Sequence, residues 1–161
     1  MSDKTNAMRI LDRMHISYKS YDYSDTNAIS GVEVASVLNQ LPEQVFKTLV
    51  TVAQSNEHYV FMIPVAEELD LKKAARAIHE KNIEMVKSKT LLGLTGYIHG
   101  GCSPIGMKKY FKTCIHSSAE NFDTIIFSAG KIGLQIELSL QDLKKVIDYQ
   151  LADIIVENST R

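Results

Sequence analysis

An α+β fold, with a curled, mixed and largely antiparallel sheet flanked by helices, is the class this sequence predicts. Three observations point there. β-rich runs outnumber the helical segments that could cross between parallel strands. Two pairs of those runs are joined by short turn-like links, and a chain of 161 residues has room for one core. A hydrophobic share of 45% with 23% charged residues is that of a globule able to fold without staples. A single domain over residues 1–161 is expected, with no internal repeat, low-complexity tract or Pro/Ser-rich linker.

The elements follow in order. Ala7, Met8, Ile10, Leu11 and Met14 recur at near-helical spacing, and Thr5 or Asp3 is placed to accept from the free N–H groups of the first turn. Aromatic enrichment predicts a strand over residues 16–23. Ser30 and Glu33 have capping-box spacing, opening a short second helix over 34–38, and Pro42 suits the first turn of a brief helical segment. Residues 45–53 and 58–65 are two β-rich runs joined by Gln54-Ser55-Asn56-Glu57, which predicts a hairpin. Asp70 caps an amphipathic helix over 71–79, with Leu71, Ala74, Ala75 and Ile78 on one face and Lys72, Lys73 and Arg76 outside it. A short strand at 83–86 and a helical turn near 88–92 precede a glycine-rich stretch at 93–106. Residues 123–128 and 134–138 form a second hairpin across 129–133. Ser139 with Asp142 caps a helix through about residue 147, and 151–156 returns as an edge strand.

Charge and cysteine content exclude several function classes. Eighteen basic against nineteen acidic residues leave a formal charge of -1, so no global field draws the chain onto nucleic acid or anionic lipid, and any RNA contact must be local. Cys102 and Cys114 are too few for a disulfide framework and form no CxxC pair, which suits reduced thiols and a cytoplasmic setting. No apolar run reaches the ~18 residues that span a bilayer, and the first fourteen residues lack a signal-like apolar core.

Chemistry is carried by three segments. Lys47 interrupts the apolar strand Val45-Phe46-Lys47-Thr48-Leu49-Val50 on the face shared with Val45 and Leu49. It reads either as an edge charge that snorkels to water or as an ammonium aimed at a phosphate or developing oxyanion in a cleft. The stretch from Gly96 through Gly100, Gly101, Cys102, Ser103 and Pro104 to Gly106 permits close backbone approach and exposes amide donors able to hold a carbonyl oxygen as it becomes negative; the alternative is a tight surface turn. It is not a Walker loop, since the glycine-lysine-serine/threonine ending is missing. Behind it, Lys108, Lys109 and Lys112 interleave with Tyr110 and Phe111, the mixture of a small RNA contact or simply a solvated face. Cys102 with His99 is a weaker candidate for a nucleophile and base, because closeness in sequence does not establish such a pair. The remaining histidines are scattered without ligand spacing, so neither a metal nor another cofactor is expected.

Together, VFKTLV at 45–50, PVAEELDLKKAARAI at 64–78, TGYIHGGCSPIGMKK at 95–109 and SAGKIGLQIELSLQDL at 128–143 closely resemble the YbaK/EbsC family over roughly residues 5–155. That family contains Cys-tRNA(Pro) deacylases and is related to the editing domain of bacterial prolyl-tRNA synthetases. The resemblance implies a trans-acting enzyme that removes cysteine from tRNA(Pro), assisted by the cysteine thiol. The alternatives are another small aminoacyl-tRNA such as Ala-tRNA(Pro), or a non-catalytic module that binds the tRNA 3′ end. It implies aminoacyl-tRNA as partner, with prolyl-tRNA synthetase a further candidate, and neither DNA nor membrane. By the same resemblance Lys47 matches the family's central lysine. Gly100, Gly101, Ser103, Pro104 and Gly106 match its GGxSPxG signature, implied to hold the ester and terminal ribose, while Tyr23 and Thr48 match positions near the pocket. Gln135 stands at a substrate-side position where some Cys-specific members carry aspartate, so an acidic role does not transfer. Cys102 fills the variable position of the signature, which favours packing over catalysis.

Overall fold

Chain direction at the start is set by a cap. In the computed structural model, which describes residues 4–157, the Thr5 hydroxyl oxygen accepts from the Met8 N–H at 3.2 Å and starts α1 (Asn6–Arg13). Asp3, the other expected cap, lies outside the described residues. The first strand, β1 (Lys19–Asp22), is shorter than 16–23, because Ile16 bonds back to the Leu11 carbonyl at 3.0 Å and is buried beside α1. The Ser30–Glu33 capping box opens α2 (Gly31–Val37) with both bonds made, and Pro42–Gln44 forms a single 3₁₀ turn.

The expected hairpin is β2 (Phe46–Ala53) against β3 (His58–Pro64), in register from Phe46 opposite Pro64 to Val52 opposite His58. Asp70 accepts from the Lys72 and Lys73 N–H groups at 3.0 Å and caps α3 (Leu71–Ala77), which stops before His79, a residue at φ 61°. Next come β4 (Ile83–Met85) and α4 (Ser88–Thr95), longer than the expected turn and closed by Gly96 at φ 89°. β5 (Lys112–His116) is absent from the sequence reading. Lysines and aromatics disguise its start, and with parallel neighbours on both sides it has no hairpin turn to announce it. The second hairpin is β6 (Ile125–Lys131) with β7 (Leu134–Leu138), followed by α5 (Leu140–Lys144). The closing edge strand is β8 (Tyr149–Ala152), earlier than 151–156, whose remainder pairs only as an Ile155–Leu69 bridge.

The strands form two layers: an antiparallel sheet in the order β1-β7-β6, and a mixed one in the order β4-β2-β3-β5-β8. A parallel bridge between Val45 and Ile126 joins them, and this junction realises the curl expected of the sheet. Alternation along β2 and β3 sorts the core. Phe61 and Ile63 pack against Ala74, Ala75 and Ile78 of α3, while Val50 and Val60 face Leu91, Tyr97 and Cys102 of α4 and its following loop. A third cluster closes α1 over β6 and β7 through Leu11, Phe127 and Ile136.

Candidate functional site

Past the Val45–Ile126 bridge, β2 and β6 separate, and the gap between the two sheets is a cleft of about 410 Å³. β4 covers the outer edge of β2 only from Thr51 to Ala53, extended by the Val86 N–H bond to the Val50 carbonyl at 3.1 Å. That bond places the polar backbone groups of even-numbered β2 residues on the outer edge. Thr48 therefore turns its N–H and C=O toward the cleft. Its Oγ1 is buried without a hydrogen-bond partner, one of three such side-chain oxygens among the described residues. An unpaired hydroxyl on an open strand edge can bond a polar group brought into the cleft.

Lys47 lines the same cleft, half-buried. Burial lowers its pKa from the ordinary lysine value, and the carboxylates of Glu68 and Glu67 oppose that shift. The ammonium sits in poor solvent and gains from any anion brought to it. Half-buried near Glu68 and Glu67, the side chain thus lies at the cleft wall and not on an open sheet edge.

Of the five signature residues in the glycine-rich loop, Gly100 faces the cleft and the others build the wall. Gly100 lines the cleft at φ 87°. The Gly101 N–H is spent on the Ile98 carbonyl at 3.0 Å, so it does not point into the cleft as an oxyanion donor. A Cβ on Gly101 would lie 3.0 Å from the Ile132 backbone nitrogen, so glycine here lets the loop seat directly on the β6–β7 turn. Ser103 and Pro104 are buried, with Ser103 Oγ accepting from the Ile105 N–H at 3.3 Å. Gly106, at φ 80°, is wedged against Asn6 and the Tyr97 hydroxyl. Tyr97 in turn donates to the Ile105 carbonyl at 2.5 Å, and burial pushes its pKa up to about 12.

Tyr23 and Gln135 close the far side. The Tyr23 N–H bonds the Gly133 carbonyl at 2.8 Å, fixing that residue beside the β6–β7 hairpin. Gln135 is 5% exposed, and its Oε1 accepts from Gln40 Nε2 at 2.9 Å. That bond holds the Gln135 amide at the cleft wall, while Gln40 Oε1 is buried without a hydrogen-bond partner. Sequence reasoning passed over Gln40, and likewise Ser128, which faces Gln135 across β6 and β7 and lines the cleft. No local motif marks Gln40, which reaches the site through a side-chain bond spanning 95 residues, while Ser128 opens the 128–143 stretch but becomes a cleft residue only when the β6–β7 hairpin sets it opposite Gln135.

His99 and Cys102 also line the cleft, but Cys102 is 6% exposed and burial pushes its thiol up to about 12, against a weaker opposing hydrogen bond from Thr95. A thiol held so firmly protonated is a packing group at neutral pH. Lys108, Lys109 and Lys112 are exposed and lie outside the cleft. Lys109 borders an adjacent groove, whereas Lys112 begins β5 opposite Tyr59. Among the described residues, no group of three or more His, Cys, Asp or Glu could hold a metal, and no helix is long and apolar enough to cross a membrane.

Known proteins resemble this chain in sequence and in fold. The model of the aminoacyl-tRNA editing domain matches residues 26–146. Over 152 residues the chain is 44% identical to a protein of Enterococcus faecalis named as a candidate Cys-tRNA(Pro)/Cys-tRNA(Cys) deacylase, EbsC, covering 94% of this chain and 93% of that one. A solved structure described as a candidate trans-editing enzyme for prolyl tRNA synthetase superposes with a TM-score of 0.80 at 19% identity, covering 96% of this chain and 100% of that one. A second, of a protein described as hypothetical, gives 0.83 at 16% identity over 92% and 97% of the two chains. At such identities the two structures speak for the fold.

Proposed function

The chain belongs to the aminoacyl-tRNA editing domain family, and on that premise we propose that it removes cysteine from mischarged tRNA(Pro) in trans, using the substrate's own thiol as nucleophile. One observation carries the reading: Lys47, Thr48, Gly100 and Gln135 share a cleft whose one thiol, Cys102, is buried and held protonated. The protein thus positions and stabilises charge without offering an activated nucleophile of its own. The cysteinyl sulfur forms a bond to its ester carbonyl, the carbonyl–O3′ bond breaks, and the thiol proton ends on the ribose oxygen. Tethering sulfur and carbonyl in one residue supplies much of the acceleration. Lys47 neutralises the developing oxyanion or a neighbouring phosphate, the Gly100 backbone borders the ester, and Thr48 presents an unshared hydroxyl and two backbone groups to the aminoacyl end. Discrimination by thiol chemistry suits a synthetase that must admit small amino acids, since one small group is worth only ~1 to 3 kcal/mol in binding. Prolyl-tRNA synthetase is the source of the mischarged substrate and the natural partner, which places the reaction in the cytoplasm.

The test is a deacylation panel of Cys-, Ala-, Ser- and Pro-charged tRNA(Pro), with an S-methylcysteinyl ester as control. Cys-tRNA(Pro) is expected to be cleaved fastest and the S-methyl ester to resist. Equal cleavage of the S-methyl or alanyl ester would replace thiol attack with hydrolysis by water.

A further inference from the structure

A second depression lies against the cleft. It shares the Met85–Val86 wall with the first and is bordered by Lys87 and Lys109, with Glu84 and His58 both opposite Val52 at its far end. Charge along the chain is sharply divided around these two hollows. Residues 20–46, which supply α2 and the opposite rim, contain Asp22, Asp25, Glu33 and Glu43 and no lysine or arginine. Residues 81–112 contain Lys81, Lys87, Lys89, Lys108, Lys109 and Lys112 against the single carboxylate Glu84. A chain that is nearly neutral overall therefore offers a polyanion one favourable approach to the cleft and one unfavourable approach.

Resting on the editing reading, we propose that this groove carries the single-stranded phosphodiester backbone leading to the esterified ribose, with Lys87 and Lys109 on successive phosphates. The shared wall makes the geometry continuous: a strand whose last sugar sits in the cleft passes over Met85 and Val86 and meets Lys87 first. Tyr110, 71% exposed beside Lys109, gives a base an aromatic face next to that track. Contacts to phosphate are indifferent to sequence, so the groove supplies affinity for the polynucleotide while the cleft reads the aminoacyl group.

The test is Lys87→Ala/Lys109→Ala against a charge-matched control, Lys19→Ala/Lys72→Ala, on strands and helices remote from the groove. Binding of uncharged tRNA(Pro) is titrated over a range of salt, and cleavage of 3′-cysteinyl-adenosine, which lacks the upstream phosphates, is followed separately. The groove variant is expected to bind tRNA about ten-fold more weakly, with the log–log salt slope reduced by ~1.4 for two single-strand phosphates. It should cleave the adenosine ester at the wild-type rate. Wild-type affinity and slope in that variant, an equal loss in the control, or a loss that appears only when prolyl-tRNA synthetase is added would each overturn the proposal, the last by assigning the groove to a protein. Because binding is read without turnover, an inactive wild-type protein would remove the deacylase reading and leave the groove decided on its own.

Discussion

Replacing Lys47 with methionine should move activity and stability in opposite directions. The substitution keeps an unbranched side chain in the cleft and deletes the ammonium. An anion about 4 Å from that ammonium, at an effective dielectric of ~20, interacts by about 4 kcal/mol. Solvent reaching the half-open cleft reduces this to roughly 3 kcal/mol, within the range of a lost oxyanion donor, so kcat/KM for Cys-tRNA(Pro) should fall on the order of 10²-fold. Folding stability follows the other sign. Burial lowers the Lys47 pKa in the folded state, so the native chain binds the proton less tightly than the unfolded one. The resulting penalty is fully present below the folded pKa and is relieved as pH rises toward the ordinary 10.5. Methionine removes that penalty, so its melting temperature at pH 7 should equal or exceed the wild type's, with the difference shrinking at alkaline pH. The assays are single-turnover deacylation and thermal melts between pH 7 and 10. Activity within three-fold of wild type, or a lower melting temperature at pH 7, would refute the reasoning. The second result would mean that Glu67 and Glu68 outweigh desolvation.

Cys102→Ala should keep kcat/KM within about three-fold, since a thiol raised to about 12 leaves only about one thiolate in 10⁵ at pH 7, while the lost sulfur costs roughly 1 kcal/mol in denaturant titration. Gly106→Ala should be a stability variant: a Cβ there would lie 2.8 Å from Asn6 Nδ2 and 2.9 Å from the Tyr97 hydroxyl at a φ of 80°, for a loss of about 2 kcal/mol in urea unfolding. Gln40→Leu strips the partner from Gln135 Oε1; a loss of about 1 kcal/mol and a raised KM for Cys-tRNA(Pro) are expected, and an unchanged KM would deny Gln40 its orienting role.

Much of the local structure was legible because its signals are local. The Ser30–Glu33 capping box, the Asp70 cap, the Gln54–Glu57 link and the alternation of β2 act over a few residues, and each appears where spacing placed it. β5 was not legible, since parallel strands are joined through distant chain and carry no turn between them. The site divides the same way. Sequence marked Lys47 as a charge out of pattern and the glycines as backbone able to approach closely, and by resemblance it supplied Thr48, Tyr23 and Gln135. Only tertiary structure separated Gly100 at the cleft from Gly101, whose amide is spent inside the loop, and from Ser103, Pro104 and Gly106, which hold the wall. Only it joined Gln40 to Gln135 across 95 residues, and Lys87 to Lys109 along one groove. The physical reason is that composition and periodicity determine which groups a segment carries and which face each takes. What a group meets depends on where the two sheets part, and that is decided by contacts between residues far apart in the chain.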